Sequence, residues 1–373
     1  QSIQIKDYYF AIINSGDPSK LVVIIYESLI VAYRDTSFME AVAKLKKHKL
    51  YPGPVLIILA TSSTVWATQE ASEQFKGAEM KLESLNFLEV VRHFESLPVA
   101  EIVRIYGAIG GVPAYLDKWD AAKSFKENIC RLVLTPSGAL YGEADAVISS
   151  ELRELSAYST ILAAIARGEN KLNDIFHATG FSRAKISVYL KNLATFNIVE
   201  KVVSFETGGW ENAKKGVYQI KDTFVNFWFK FVYPNMSNLY LLSPEEFYDT
   251  YIEKELDAYL ERYFREVCTE YLLILNQMGQ LPFTIKRVGT WIGKTGRIDI
   301  VAQSEDRRSI IGFCNWDKPM MTMDMCENMA MAMDQARLTS DDYYLFSATD
   351  FEPALQSYVV RDPRFKLINM NEL

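Results

Sequence analysis

The span between residues 158 and 220 constrains the fold most, because glycines and one polar cap divide it into short elements. Three segments with helical apolar spacing precede two short strand-like ones, at residues 158–166, 171–180, 183–194, 198–205 and 216–220. Ser182 has the position of an N-cap for the third segment, and Ile186, Leu190 and Leu193 share one of its faces. The spacing predicts a helix-turn-helix whose third helix is the recognition element, followed by the two strands of a wing.

The outward side of this third helix and the tip of the wing carry side chains able to meet phosphates or base edges. These are Ser182, Arg183, Lys185, Ser187, Lys191, Lys214 and Lys215. Between residues 171 and 191 four basic residues face one acidic residue, a local charge of +3 in a chain whose net charge is −7. A DNA-facing patch requires such asymmetry. Winged helices also serve as protein-interaction modules, so DNA and a protein are both candidate partners.

Two apolar runs near the amino terminus, residues 21–27 and 55–60, predict parallel strands that end in polar residues. Glu27 ends the first run, and Ser62 and Ser63 follow the second. In P-loop ATPases the first such strand ends in Asp-Glu, which holds Mg²⁺ and orients water, and the second leads to a γ-phosphate sensor. Here Tyr26 replaces the Asp.

The phosphate-binding loop G-x-x-x-x-G-K-[ST] occurs nowhere in the sequence. The segment 16–20 contains a glycine and a lysine without the required spacing, so most of the affinity for ATP is missing. We therefore interpret Glu27 as a solvated relic of a catalytic residue, and Ser62 and Ser63 as relics of a nucleotide sensor. No cofactor is expected, and ATP and Mg²⁺ would bind only if upstream sequence restored the site.

Two segments near the carboxyl terminus, residues 298–302 and 309–314, resemble the active-site strands of restriction-endonuclease-like domains. There one strand ends in Asp and the next carries Glu-x-Lys, because two carboxylates hold Mg²⁺ while the lysine steadies water. Asp299 is present, whereas Phe313 and Asn315 stand in place of Glu and Lys. The resemblance therefore implies a degenerate nuclease core in which Asp299 is a relic.

A carboxylate of the long helix before this core, Glu266 or Glu270, could join Asp299 in weak Mg²⁺ binding, as the resemblance implies. Efficient phosphodiester cleavage is not expected without the second strand carboxylate and the lysine. The remaining predicted elements are a helix at 320–333 and strands at 343–346 and 365–368. The helix is rich in methionine, which fills irregular core gaps, and this favours packing over a copper site.

Five motifs taken in order resemble the archaeal-type AAA+ ATPases, from about Lys20 onward. They lie at residues 21–27, 56–63, 106–116, 215–222 and 227–235. The resemblance implies an α/β and α+β multidomain protein. Its parts are a truncated AAA+ ATPase-like α/β segment, a helical lid, a winged helix, a helical connector and a restriction-endonuclease-like domain, at residues 1–97, 98–146, 147–222, 223–278 and 279–373. Members of that family begin with a P-loop upstream of the first motif, and the replacement at Tyr26 favours loss of the site over its mere omission.

Cysteine spacing and hydropathy predict the cellular compartment of the protein. The four cysteines, Cys130, Cys268, Cys314 and Cys326, lack CxxC or Cys/His spacing, which predicts free thiols in a reducing compartment and no zinc site. No apolar run has the length of a membrane span and no leader is evident, so a cytoplasmic protein without a membrane partner is expected. The sequence does not indicate an oligomeric state.

Three functional hypotheses follow. The favoured one is a non-catalytic DNA-binding or regulatory protein that binds through the winged helix. A second is a partial ATPase whose P-loop lies upstream, and a third is a scaffold for protein interactions.

Overall fold

The computed structural model describes residues 10–14, 21–47, 54–63, 66–149, 152, 154–205, 216–293 and 296–373. These fall into two compact units, unit 1 up to Glu83 and unit 2 from Ser84 to Leu373. None of the described helices is both long and apolar enough to cross a membrane.

Unit 1 contains a three-stranded sheet and short helices. Its elements are β1 (Phe10–Asn14), β2 (Leu21–Ile25), α1 (Ser28–Arg34), α2 (Phe38–Lys47), β3 (Val55–Leu59) and α3 (Ser72–Phe75), with a π-helical turn at Trp66–Ala71 before α3. The central strand β2 is parallel to β3, as the two apolar runs predicted, and antiparallel to β1. The sequence analysis did not predict β1.

Unit 2 begins with helices that surround one continuous core. They are α4 (Phe87–His93), α5 (Val99–Ile109), α6 (Pro113–Leu116), α7 (Phe125–Ile129) and α8 (Glu143–Ser149), with a π-helical turn at Cys130–Leu134 after α7. The predicted first segment, residues 1–97, extends past unit 1, because α4 belongs to unit 2. Phe87 and Val90 of α4 are buried in the same core as α5.

The next elements of unit 2 are three helices and an antiparallel strand pair. They are α9 (Leu155–Ala166), α10 (Leu172–Thr179), α11 (Arg183–Thr195), β4 (Val199–Val202) and β5 (Val217–Ile220). Each lies close to its predicted span. Gly180 ends α10 in a left-handed conformation with φ 69°, which a glycine adopts without strain.

A helical stretch then leads to the longest helix. Its parts are α12 (Thr223–Phe227), a π-helical turn (Trp228–Val232), a 3₁₀ turn (Tyr233–Asn235), α13 (Met236–Leu239), α14 (Pro244–Tyr251) and α15 (Glu253–Gln277). The aromatic side chains of residues 224–231 lie in the core, as the packing interpretation of helical spacing predicts. Leu256, Leu260 and Phe264 form a buried stripe along α15.

The carboxy-terminal part of unit 2 is a five-stranded mixed sheet with helices on its faces. Its elements are β6 (Arg287–Ile292), β7 (Arg297–Gln303), β8 (Ser309–Asn315), β9 (Met320–Met321), α16 (Met323–Ala336), β10 (Asp342–Ser347), β11 (Asp350–Phe351), α17 (Pro353–Arg361) and β12 (Phe365–Asn369). The strand order is β12-β10-β8-β7-β6, with β12, β10 and β8 parallel to one another and β7 antiparallel to both its neighbours. The sequence analysis missed β6, and the short strands β9 and β11 pair separately.

Strand β7 is buried because helices cover both faces of the sheet. Ile300 packs in the core that contains α15, whereas Ile298 packs with Met329 and Met333 of α16. Those two methionines therefore act as packing residues, which agrees with the interpretation favoured above. The helix begins at Met323 rather than at Met320, since Met320 and Met321 are in β9.

Candidate nucleic-acid interface and the Asp299 cluster

Helix α11 buries one face and exposes the other. Ser182 caps it as predicted, because its Oγ accepts a hydrogen bond from the Lys185 amide at 3.2 Å. Ile186, Leu190 and Leu193 are buried in the core of unit 2. On the opposite face Arg183, Ala184, Ser187, Val188 and Lys191 are exposed, and we call these five residues the α11 face.

Contacts with α9 and its preceding residue hold α11 in place. Tyr189 packs against Tyr158 with ring centroids 4.4 Å apart and donates a hydrogen bond to Glu154. That hydrogen bond, together with burial, raises the pKa of Tyr189 to about 12. Asn192 donates to the Tyr158 hydroxyl at 2.8 Å. The α11 face is therefore presented on a fixed support.

Arg183 lies at the start of the α11 face and is oriented by α10. Its Nε donates to Oδ1 of Asn173 at 3.2 Å, and its guanidinium lies 4.1 Å from the centre of the Phe176 ring. A guanidinium has five N–H donors, and the described contacts with Asn173 use one on Nε and one on Nη2. The exposed and oriented Arg183 side chain thus has N–H donors left to bind an anionic ligand.

Lys185 does not lie on the outward surface with the other predicted residues. Its Nζ lies 4.4 Å from the centre of the Phe181 ring and 5.3 Å from that of Tyr189, and the residue is half-buried. The attraction between a cation and an aromatic face explains this position. Ser187 and Lys191 are exposed as predicted. Lys214 and Lys215, predicted for the wing tip, lie outside the described residues.

The strand pair after α11 is attached to the carboxy-terminal sheet and to α15. Arg287 of β6 donates to the carbonyl of Phe205 at 3.1 Å, and its guanidinium lies 4.7 Å from the Phe205 ring centre. Gly289 allows this contact, because a Cβ there would lie 3.3 Å from the Phe205 side chain. Arg262 of α15 donates to the carbonyl of Ile220 at 2.8 Å. These hydrogen bonds hold the backbone just after β4 and at the last residue of β5.

The Asp299 cluster consists of Asp299, Arg265, Arg297 and the amide of Cys314. Oδ1 of Asp299 accepts hydrogen bonds from Nε of Arg265 at 3.0 Å and Nε of Arg297 at 3.1 Å. Oδ2 accepts one from the Cys314 amide at 3.1 Å. The Asp299 side chain is 10% exposed and that of Arg265 is 14% exposed, so their ion pair is shielded from water. Two guanidinium groups thus neutralise the carboxylate.

The two helix carboxylates proposed as partners of Asp299 have other contacts. Glu266 pairs with Arg262, Nε to Oε1 at 2.8 Å. Glu270 accepts hydrogen bonds from the amides of Phe87 and Leu88, at 3.0 and 3.1 Å, and so caps the start of α4. The described contacts of Glu266 and Glu270 are therefore with Arg262 and with the start of α4.

Another carboxylate of α15, Glu261, has its pKa raised by burial and, slightly, by the charge of Asp299. The charge of Asp317 raises it further, while Arg297 and Arg265 oppose this. Sequence spacing did not select Glu261. Its position one helical turn before Arg265 could have indicated it, because residues four apart lie on the same face of a helix.

The residues at the Glu-x-Lys positions are used by the fold. Phe313 packs in the core that contains α16. The amide nitrogen of Asn315 donates to Ser347, Thr349 and the carbonyl of Lys318, and its oxygen accepts from the Lys318 amide. Asn315 therefore fastens the turn after β8 to the end of β10.

This donor set does not fit Mg²⁺. The ion requires several hard oxygen ligands in octahedral geometry, and the one strand carboxylate here is neutralised by two arginines. In the part of the chain that the structure describes, no group of three or more His, Cys, Asp or Glu side chains could hold a metal ion. Cys268 and Cys314 contact one another beside the cluster, and burial raises the pKa of Cys268 far above its usual value. A protonated thiol is not a metal ligand.

In unit 1 the structure brings Glu27 and Ser62 together but not Ser63. Oγ of Ser62 donates to Oε2 of Glu27 at 3.2 Å, with Glu27 in the left-handed region at φ 47°. Ser63 is buried, and its Oγ accepts the Trp66 amide at 3.3 Å. Ser63 thus supports the following helical turn.

Part of the chain matches a known protein family. Residues 228–331 match DUF234, a family of archaeal and bacterial proteins of unknown function. The matched residues include α15, β7 and β8, and therefore the whole Asp299 cluster. The match covers part of unit 2 and not the α11 face.

The chain is also similar to an uncharacterised protein, MJECL04, of Methanocaldococcus jannaschii. The two are 30% identical over 268 residues, which cover 70% of this chain and 59% of the archaeal protein. The chain thus spans less than two thirds of this relative. Among solved structures, protein VC1899 from Vibrio cholerae aligns with 95% of this chain and 88% of its own, at 10% identity and a TM-score of 0.24. A score this low supports no conclusion about fold or function.

Proposed function

We propose that the chain is a non-catalytic DNA-binding protein that contacts duplex DNA through the α11 face. On this proposal α9, α10, α11 and the β4–β5 pair form a winged helix-turn-helix, and α11 enters the major groove. The proposal rests on one observation: the exposed face of α11 carries Arg183, Ser187 and Lys191 while its other face is buried. The local charge of +3 in an acidic chain supports it.

The contacts of Arg183 add support. Its guanidinium is held between α10 and α11. In a helix-turn-helix the helix before the recognition helix crosses the phosphate backbone, so this position is close to phosphates. An oriented guanidinium loses little rotamer freedom when it binds a phosphate, and it can donate two parallel hydrogen bonds. Lys191 lies two helical turns further on and supplies a second cation.

The Asp299 cluster supports the non-catalytic part of the proposal. The nuclease chemistry of restriction-endonuclease-like domains requires carboxylates that hold a cation, and here the carboxylate is paired with Arg265 and Arg297. On this view the carboxy-terminal sheet is a restriction-endonuclease-like fold that serves as a platform. It anchors the strands of the wing through Arg287 and Phe205.

Binding of a fluorescent duplex, followed by anisotropy at several salt concentrations, tests the proposal. Arg183→Ala and Lys191→Ala should each weaken binding and reduce the slope of log K against log salt by about 0.9 for each lost phosphate contact. Lys185→Ala should change the slope less, because Lys185 is held over two aromatic rings. Lys254→Ala, an exposed lysine of α15, is the matched control and should leave both quantities unchanged.

Two outcomes would contradict the proposal. If no duplex binds even at low salt, where phosphate contacts are strongest, a protein-interaction scaffold becomes the better account. If binding persists with an unchanged salt slope in the Arg183 and Lys191 variants, the contact lies elsewhere.

The alternative of a partial ATPase has one observation in its favour, the contact between Glu27 and Ser62 at the ends of β2 and β3. A carboxylate and a hydroxyl at this edge suit a nucleotide site. Calorimetric titration with ATP and Mg²⁺ separates the two proposals, because tight binding would favour the ATPase.

A further inference from the structure

We infer that Val188 gives the proposed interface a preference for thymine, by packing against the thymine C5-methyl group in the major groove. The inference rests on the proposed DNA binding and names what the α11 face would read. It starts from the exposure of Val188, which is 57%.

An exposed valine alone needs no explanation, because apolar atoms contribute much of any protein surface. The surroundings of Val188 are what matter. Ser187 precedes it, Lys191 follows one turn later, and Ala184 lies one turn before it on the same row. The cationic, polar face thus includes an apolar pair, Ala184 and Val188, and the helix already has a separate buried face for packing.

Val188 lies between the two cations along the helix axis. Arg183 and Lys191 are eight residues apart, which corresponds to about 12 Å of helix rise. A recognition helix lies in the major groove, so the two side chains can reach phosphates at separate points along it. Val188 is on the exposed side of α11, away from its buried residues, and so can face the base edges.

The chemistry of valine selects among the bases. In the major groove adenine, guanine and cytosine present hydrogen-bond donors or acceptors, whereas thymine also presents a methyl group. Valine can neither donate nor accept, so pressing it against a polar edge leaves that edge without a partner. Contact with the thymine methyl buries apolar surface on both sides, and Ala184 can extend the same contact.

Removal of the methyl group alone tests the inference. A random-sequence duplex library is selected on the wild-type protein, and the selected pool is synthesised again with either thymine or uracil. Uracil pairs as thymine does but lacks the C5-methyl group. The wild type should bind the thymine pool about four-fold more tightly for each methyl group buried, from the transfer free energy of one methylene.

Two valine variants complete the test. Val188→Ala should reduce the difference between the two pools, whereas Val360→Ala, at an 87% exposed valine on α17, should keep the wild-type difference. Both sites are exposed, so the variants should keep the wild-type circular dichroism spectrum.

The outcomes distinguish the thymine preference from the proposed DNA binding on which it rests. Equal binding of the two pools by the wild type would overturn the thymine preference and leave DNA binding intact. A difference that is undiminished in Val188→Ala would overturn the assignment to Val188, since the methyl group would then be sensed elsewhere. Absence of binding to any duplex at low salt would overturn both.

Discussion

Unit 2 presents charge in two contrasting ways. In the Asp299 cluster a nearly buried carboxylate is bound by Arg265, Arg297 and a backbone amide, so its charge is compensated within the fold. On the α11 face Arg183 and Lys191 are exposed, and Arg183 is held by a neutral amide and an aromatic ring. The first arrangement stabilises the protein itself, whereas the second leaves charge available to a ligand.

The contrast has a physical cause. A buried carboxylate must be neutralised by a metal ion or by cations of the protein, because the free energy of burying it alone is prohibitive. Once Arg265 and Arg297 supply that neutralisation, a cation is no longer required at Asp299. An exposed guanidinium has no such requirement, since water solvates it until a phosphate replaces the water. Whether a charged side chain can bind a ligand thus depends here on its exposure and its partners within the fold, and not only on its residue type.

The largest expected effect comes from removing the shared carboxylate. Asp299→Ala should lower the free energy of unfolding by about 3–5 kcal/mol, because it leaves Arg265 nearly buried without a counter-ion. Urea denaturation followed by circular dichroism measures the change. Arg297→Ala is the matched control: its side chain is 45% exposed, so its loss should cost about 1 kcal/mol or less. A loss near zero for Asp299→Ala would show that the cluster does not stabilise the fold.

A second prediction asks whether the Asp299 cluster can be converted to a metal site. Asn315→Lys introduces the lysine of the Glu-x-Lys pattern but should lower the free energy of unfolding by about 1–3 kcal/mol, because the buried Ser347 hydroxyl and the Lys318 amide lose their hydrogen bonds to Asn315. Phe313→Glu combined with it should bring no measurable Mg²⁺ or Mn²⁺ affinity by calorimetry, since Asp299 stays paired with the arginines. Metal binding by the double variant would instead indicate that the arginines yield to a cation.

The sequence predicted local elements better than it predicted long-range pairs. The three helices before β4 and the strands β7 and β8 follow from apolar periodicity and glycine stops, which act within a few residues. Strand β6 was missed because Gly289 interrupts its pattern and the pairing with β7 shifts between Gly289 and Trp291. Packing against β7, not local preference, makes that segment a strand.

The candidate sites show the same limit. Asp299 could be selected from the sequence, but its pairing with Arg265 joins residues 34 positions apart and depends on how α15 lies across the sheet. Lys185 has the spacing of an outward residue, yet the rings of Phe181 and Tyr189 hold it. In each case the neighbour in space decided the role.

The smallest expected effect is a change of stability with pH that depends on Glu261, a carboxylate that is neither fully compensated by arginines nor fully exposed. Burial first, and the charge of Asp317 second, raise its pKa above the ordinary value of 4.5 in the folded protein. The folded state therefore holds this proton more tightly than the unfolded chain does. The resulting stabilisation is complete below pH 4.5 and is lost as the pH rises through the folded pKa.

Glu261→Gln mimics the protonated side chain at every pH, so the variant should have a higher Tm than the wild type at pH 7. The difference should vanish below the ordinary pKa of the group. Thermal unfolding of both proteins across this range measures it, with Glu95→Gln, at an exposed position, as the control for removal of one negative charge. A lower Tm for Glu261→Gln at pH 7 would mean that attraction to Arg297 and Arg265 outweighs burial. Glu261 would then belong to the internally compensated charges with Asp299.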